Sequence, residues 1–188
     1  MPSECLDIQT WRKTCLYARP VKSHRIVSKR LGVTLGALNI SHSKFTPDWH
    51  WSLPRAPDIN ERKLVSVAYR NNCNYGHYML IIMERGVGYL YDSGDCQRFT
   101  FYPRLIKMIL RESGFDYGGT VQSRCGARSD ALRDVRSCKC SIWSALVLHD
   151  FVKGGWAALR ELFKLSRREA VAVRDFFHSV ELDNGSLS

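Results

Sequence analysis

The chain lacks several features that would assign it to a large class of proteins. No apolar stretch reaches the roughly 18–20 residues that a membrane-spanning helix requires, and no segment is repetitive or of low complexity. The segment from Met1 to Asp7 has no basic region followed by an apolar run, so we expect no secretory signal. Acidic residues are also scarce, with 18 Asp plus Glu against 28 Lys plus Arg. We therefore expect neither a membrane protein nor a secreted one.

Cysteines are present, but they form no regular framework. Their number is odd, seven, and no two of them are spaced as C-x-x-C. This usage is typical of free thiols in a reducing, intracellular compartment. A zinc site built from Cys138, Cys140, Cys125 and His149 would combine a single C-x-C pair with distant ligands, which is a weak pattern. We expect no bound metal and no required cofactor.

The length and composition predict one domain. A chain of 188 residues with 45% apolar side chains can bury one sizeable core. Hydrophobic periodicity predicts an α+β fold, in which a short mixed β-sheet packs on a central buried helix and further helices surround it. Outside the central motifs, the pattern predicts helices at 3–16, 101–113, 155–165 and 166–180, a strand at 64–69, and an aromatic, proline-containing loop at 45–54.

The helix predicted at 166–180 has a clear start signal. Ser166 is followed three residues later by Glu169, which predicts a capping box. Its apolar side is expected to consist of Val171, Val173, Phe176 and Phe177.

Residues 76–93 predict a β-hairpin that begins near a histidine and finishes on an aspartate. An apolar run of strand length, Met79 to Met83, is followed by the polar, glycine-bearing segment 84–88 and by the aromatic run Tyr89 to Tyr91. Such a succession is typical of strand, turn and strand. The two ends of the hairpin then lie side by side.

The register of this hairpin decides how His77 meets Asp92. A turn centred between Glu84 and Arg85 would put them directly opposite each other, whereas a turn centred on Gly86 would make them diagonal neighbours. In either register we expect the carboxylate to reach the imidazole. That contact orients a histidine and stabilises its protonated form.

A cysteine opens the strongest helix in the sequence. The segment from Cys140 to Lys153 is apolar on nearly every side and is followed by Gly154-Gly155, so it predicts a central, buried helix. At its first turn, unpaired backbone N–H groups and the helix dipole favour a thiolate. Together with the His–Asp hairpin, this supplies the nucleophile, base and orienting group of a thiol protease.

These residues resemble the adenain and SUMO-protease clan of cysteine peptidases, in its viral maturation form. The resemblance rests on three short motifs and on their order along the chain. The motifs are His77-Tyr78, Tyr91-Asp92-Ser93 and Cys140-Ser141-Ile142-Trp143-Ser144. It covers residues 64–155, which leaves 1–63 as an N-terminal extension and 156–188 as C-terminal helices. It implies an adenain-like or papain-like fold and a Cys140–His77–Asp92 triad. It also implies cleavage after a small residue such as glycine.

One part of the family pattern is displaced. The clan carries a glutamine about six residues before the nucleophile, and its side-chain amide helps to form the oxyanion hole. Here that position holds Asp134, and the nearest candidate is Gln122, eighteen residues ahead of Cys140. If Gln122 has this role, the segment from Arg124 to Lys139 is an insertion. The alternative is an exposed glutamine at a strand end.

Two other cysteines remain candidates for the nucleophile. Cys125 directly follows Gln122-Ser123-Arg124, but the segment after it is polar and arginine-rich, which is a poor central helix. Cys138 lies two residues before Cys140. We favour Cys140.

Positive charge is concentrated in three segments. The formal net charge is +10, and such a field attracts polyanions without reading bases. The segments are 12–30 (Arg12, Lys13, Arg19, Lys22, His24, Arg25, Lys29, Arg30), 124–139 (Arg124, Arg128, Arg133, Arg136, Lys139) and 160–174 (Arg160, Lys164, Arg167, Arg168, Arg174). In adenovirus-type proteases DNA acts as a cofactor, so the resemblance implies DNA as an activating polyanion.

The sequence thus predicts a monomeric cysteine endopeptidase that cleaves polypeptide precursors in viral maturation. We expect it in the host nucleus or cytoplasm, or packaged in a virion. An isopeptidase that removes a ubiquitin-like modifier would use the same catalytic groups. A basic, non-catalytic nucleic-acid-binding protein, in which His77 and Asp92 are incidental, is the alternative from another class.

Overall fold

The computed structural model describes residues 18–42, 47–52, 62–71, 76–93, 102–127 and 139–183. The helices are α1 (Lys22–Leu31), α2 (Tyr102–Glu112), the short α3 (Val121–Arg124), α4 (Cys140–Lys164) and α5 (Arg167–Phe177), which continues into a π-helical segment (His178–Asp183). The strands are β1 (Leu35–His42), β2 (Pro47–Ser52), β3 (Lys63–Asn71), β4 (Gly76–Glu84), β5 (Val87–Tyr91) and β6 (Asp116–Thr120).

These strands form one mixed sheet in the order β2-β1-β3-β4-β5-β6. The pairs β1–β3 and β5–β6 are parallel, and the other three neighbouring pairs are antiparallel. The α+β class with a mixed sheet is therefore confirmed. Strand β4 is a central strand, so both of its edges are paired, with β3 and with β5.

The two faces of the sheet carry separate apolar cores. Leu80 and Ile82 of β4 belong to a cluster with α4, which contributes Trp143, Leu146 and Phe151. The alternate residues of β4, such as Met79 and Ile81, belong to a second cluster with α2 and the tryptophans of β2. A strand buried on both faces reads as a continuous apolar run and not as an alternating one, which explains the sequence of Met79 to Met83.

A two-residue turn sets the register of the β4–β5 hairpin. Glu84 pairs with Val87, and the turn residues Arg85 and Gly86 have φ of +52° and +75°. Two positive φ values are typical of the type I′ turn, which suits the twist of a hairpin. The pairing of Leu80 with Tyr91 then brings Asp92 opposite Met79, two residues from His77. The turn is thus centred between Arg85 and Gly86, which matches neither predicted register, and His77 and Asp92 are diagonal neighbours.

The helix α4 packs on β4 and against α1. It is interrupted at Gly155, whose φ of +61° and ψ of −151° lie outside the helical region. The predicted stop at Gly154-Gly155 and the predicted second helix after it are both confirmed. Helix α2 buries Leu105, Ile106, Ile109 and Leu110, as predicted.

Two predictions of local structure are wrong. The aromatic segment predicted as a loop contains strand β2, which pairs with β1 and buries Trp49 and Trp51. In α5 the capping box of Ser166 and Glu169 is present, and Phe177 is buried and Val171 packs against the core, as predicted. Phe176, however, is 71% exposed and Val173 38%, so half of the predicted apolar side is wrong. Arg174 takes the buried position instead, because its guanidinium lies 5.0 Å over the ring of Trp143. The helix predicted at 3–16 lies outside the described residues.

Candidate active site

His77 and Asp92 meet at one end of the central hairpin. His77 is the second residue of β4, and Asp92 follows the last residue of β5. His77 Nε2 lies 2.5 Å from Asp92 Oδ1, and the two side chains are only 8% and 6% exposed. The contact predicted from the hairpin is therefore present, and it is shielded from water.

Cys140 approaches the same histidine from α4. Its side chain is buried, at the first residue of the helix, where the N-terminal backbone N–H groups have no partner within the helix. Its thiol lies close enough to His77 to help raise the pKa of the imidazole, through hydrogen bonding and charge. Because Nε2 faces Asp92, Nδ1 is the ring nitrogen left for the thiol. The three residues of the predicted triad are thus brought together.

The environment of His77 favours its protonated form. Burial opposes the charge, but the hydrogen bonds to Asp92 and Cys140 and the negative charge of both partners outweigh it. Together they raise the pKa of His77 from 6.5 to about 10. The imidazolium of His77 therefore lies between the carboxylate of Asp92 and the sulfur of Cys140.

Gln122 lies beside this group, on the short helix α3 that follows β6. Its side chain is buried, and Nε2 donates a hydrogen bond to the backbone oxygen of Asp92 at 3.1 Å. The exposed strand-end glutamine is therefore wrong. The observed contact fixes the chain at Asp92, and Gln122 has a second amide hydrogen that this bond does not use.

Of the other two candidate nucleophiles, Cys125 lies in the described part of the chain. Cys125 caps α3 and is half-buried. Burial raises the pKa of its thiol, against the smaller opposing effects of Arg160 and Arg124. Cys138 lies outside the described residues. Among the described cysteines, Cys140 is the one in hydrogen-bond contact with the imidazole.

A second histidine, which the sequence placed only among the basic residues, supports the first turn of α4. His24 is fully buried, and its Nε2 and Nδ1 lie 2.7 Å from Ser144 Oγ and Ser66 Oγ. Burial lowers its pKa from 6.5 to about 3. His24 is therefore neutral and adds no charge to the basic segment, which corrects that prediction.

The hydroxyl protons define the direction of this chain of hydrogen bonds. Ser144 Oγ donates to the backbone oxygen of Cys140 at 2.8 Å, so it accepts from His24 Nε2–H. Nδ1 then accepts from the hydroxyl of Ser66, which itself accepts from Val21 N–H at 2.8 Å. We call these residues the His24 relay: Val21, Ser66, His24, Ser144 and Cys140. Ser23 Oγ adds a bond to the Ser141 oxygen at 3.1 Å.

Sequence reasoning missed the relay because its members come from three distant segments. The available signal was a serine one turn after the cysteine, in a helix that is otherwise apolar, where an unpaired hydroxyl would be costly. The position of Ser144 therefore implies a hydrogen-bond partner for its hydroxyl, but it does not identify the residue that supplies one.

The structure was also searched for metal ligands and for a membrane-spanning helix. No group of three or more His, Cys, Asp or Glu side chains able to hold a metal ion occurs among the described residues. In the same part of the chain, no helix is long and apolar enough to cross a membrane. Comparisons of the chain with protein-family models, with curated proteins and with solved structures find no match.

Proposed function

We propose that the protein is a cysteine endopeptidase of the adenain type, which cleaves polypeptide precursors. A single arrangement supports this proposal, namely a buried histidine bonded at 2.5 Å to an aspartate and also bonded to a cysteine that opens a buried helix. The direction in which the pKa of His77 shifts agrees with it. A structural His–Asp pair would not require a thiol at the second nitrogen.

In the proposed mechanism, the sulfur of Cys140 attacks the scissile carbonyl carbon and forms a thioester. His77 gives its proton to the leaving amine as the C–N bond breaks. Water, deprotonated by His77, then attacks the thioester and releases Cys140, and the proton returns to the Cys140–His77 pair. Asp92 holds the imidazole in the orientation that both steps need.

The oxyanion formed in both steps requires hydrogen-bond donors. The backbone N–H of Cys140 and the second amide hydrogen of Gln122 are the proposed donors, as the family resemblance implies. Gln122 already anchors the backbone of Asp92, so one side chain would link the orienting group to the oxyanion site.

Thiol labelling tests the nucleophile. An iodoacetamide-type or vinyl-sulfone reagent near neutral pH should modify Cys140 first, because the neighbouring imidazolium keeps the sulfur nucleophilic. Cys140→Ala should lose this rapid labelling and all turnover, while the matched variant Cys125→Ala should keep both. Rapid labelling that survives in Cys140→Ala and disappears in Cys125→Ala would move the active site to Cys125.

Digestion of a proteome-derived peptide library, with Cys140→Ala as control, tests the reaction class. Cleavage that depends on Cys140 supports the endopeptidase. Processing of folded ubiquitin-like precursors, without cleavage of ordinary peptides, would favour the isopeptidase instead. A protein that is neither labelled nor active would be left with the nucleic-acid-binding alternative.

A further inference from the structure

A groove of about 810 Å³ lies next to the proposed catalytic group. It is enclosed by the start of α1, the strands β1, β2 and β3, the first turn of α4 and the π-helical segment. Its lining includes Tyr78, which follows His77, and Ser141 and Ile142, which follow Cys140. A polypeptide bound in this groove would therefore pass close to the nucleophile.

The charge of the groove is uneven. Arg19, Lys22 and Arg70 line it, and within the described part of the chain none of the three makes a hydrogen bond or ion pair to another side chain. The carboxylate in the lining is that of Asp183, which lies 3.4 Å from His178. Three fixed positive charges therefore line the groove without a partner among the described residues, and the positive end of the α1 dipole lies at the same wall.

The wall of the groove also contains a hydrogen-bond acceptor. Asn39 Oδ1 is buried and has no hydrogen-bond partner among the described residues. The phosphate groups of a polyanion offer only acceptors and cannot donate to this oxygen. A peptide offers acidic side chains, which match the three cations of the groove, together with backbone N–H donors.

We propose that this groove is a substrate-binding subsite for an acidic polypeptide segment, in which Arg19, Lys22 and Arg70 receive Asp or Glu side chains near the scissile bond. The proposal rests on the proposed peptidase function. It names the specificity of that enzyme, which the catalytic group alone leaves undefined.

The first test is the pattern of cleaved bonds in the peptide-library digest. The wild-type protein should enrich Asp or Glu within a few residues of the cleaved bond. Arg70→Gln should weaken that enrichment and lower kcat/KM for a glutamate-containing peptide by roughly five- to tenfold, as expected for one charge-assisted contact, mainly through KM. Arg104→Gln is the matched control, because Arg104 is an exposed arginine on α2, and it should match the wild type. Cleavage without acidic enrichment overturns the subsite and leaves the peptidase intact.

A second measurement keeps the subsite testable if no cleavage occurs. Fluorescence anisotropy with Cys140→Ala protein should show that a labelled glutamate-containing peptide binds more tightly than its glutamine counterpart, and Arg70→Gln should reduce the difference. Equal binding of the two peptides overturns the proposal. Duplex DNA that displaces the peptide from the wild type, and that itself binds Arg70→Gln more weakly, would reassign the groove to nucleic acid.

Discussion

The charge state of His77 depends on neighbours that act in opposite directions. Burial penalises the imidazolium, whereas Asp92 and Cys140 stabilise it through hydrogen bonds and charge. The second effect exceeds the first, so His77 retains a proton at neutral pH. Asp92 is therefore more than an orienting group, because the charge on the imidazolium depends on it.

Replacing Asp92 with Asn should separate these roles. The amide keeps the shape of the side chain but removes the negative charge and favours the wrong imidazole tautomer, so kcat should fall by about three to four orders of magnitude. Peptide hydrolysis measures this. The control is Asp116→Asn, at an exposed aspartate of β6, which should leave kcat unchanged. Wild-type turnover in both Asp92→Asn and His77→Ala would eliminate the hairpin from the mechanism.

At this scale, the sequence predicted the meeting of His77 and Asp92 but not their register. The register follows from Arg85, which adopts φ of +52°. Arginine has no preference for this region, so the sequence gives no signal that Arg85 is the first residue of the turn. Only Gly86, the second turn residue, is typical of a turn.

At the scale of single elements, α1 holds the first turn of α4 in place. The His24 relay joins the start of α1 to β3 and to the backbone oxygen of Cys140, and Ser23 binds the next backbone oxygen. The proposed nucleophile therefore lies on a helix end that is anchored from a different part of the chain. The position of the sulfur relative to His77 depends on that anchor.

Removing one hydroxyl from the relay should reveal this dependence. Ser144→Ala leaves His24 Nε2–H buried without an acceptor, which should lower the free energy of unfolding by about 1–3 kcal/mol. If the relay also positions Cys140, kcat should fall while KM stays near the wild-type value. Urea unfolding and peptide hydrolysis provide the two readings.

The control for this experiment is Ser28→Ala. Ser28 also donates to a helical backbone oxygen, that of Arg25, but it lies far less buried on α1. It should change stability by less than about 0.5 kcal/mol. A Ser144→Ala protein as stable and as active as Ser28→Ala would show that the relay contributes nothing.

The helices and strands that were predicted correctly are those whose signals lie within their own sequence. Helix α2 and the first part of α4 follow from periodicity and from glycines at their ends, which are local signals. Strand β2 was predicted as a loop because of its proline. Pro47 is the first residue of an edge strand, one of the few sheet positions that tolerate proline, and only the pairing with β1 reveals it.

At the scale of the whole molecule, the two buried histidines should limit stability at opposite ends of the pH range. His24 stays neutral in the folded state down to a pKa of about 3, whereas the unfolded chain protonates it below 6.5. The unfolded state therefore binds more protons, and stability should fall as pH falls from 6.5 towards 3, by up to about 1.4 kcal/mol per pH unit.

His77 has the opposite sign. Its folded pKa is about 10, so its contribution is fully present below 6.5 and is lost as pH rises from 6.5 through about 10. Urea unfolding over this range should show His24→Leu with a flatter acid limb and His77→Gln with a flatter alkaline limb. Unchanged slopes in both variants would contradict these assignments.

The net charge is +10, but several of the arginines that contribute to it are buried, paired or stacked on aromatic rings. Arg174 is buried over Trp143, Arg30 is paired with Glu181, and Arg124 lies 5.2 Å over the ring of Trp156. The predicted basic cluster at 160–174 nevertheless keeps Arg160, Arg167 and Arg168 exposed. On this side of the described surface, a polyanion would therefore meet α5 and the end of α4.

Duplex DNA should bind this surface without sequence preference, and the logarithm of its affinity should fall linearly with the logarithm of salt concentration, with a slope of about −0.9 per phosphate neutralised. Replacing both Arg167 and Arg168 with Gln should reduce the magnitude of that slope by roughly 1.8, whereas Arg104→Gln should not. Peptide hydrolysis with and without DNA at two salt concentrations then tests activation. Turnover that rises with DNA only at the lower salt concentration would couple the basic surface to the catalytic group. Binding with unchanged turnover would contradict activation, and the positive charge would then serve to hold the enzyme on DNA.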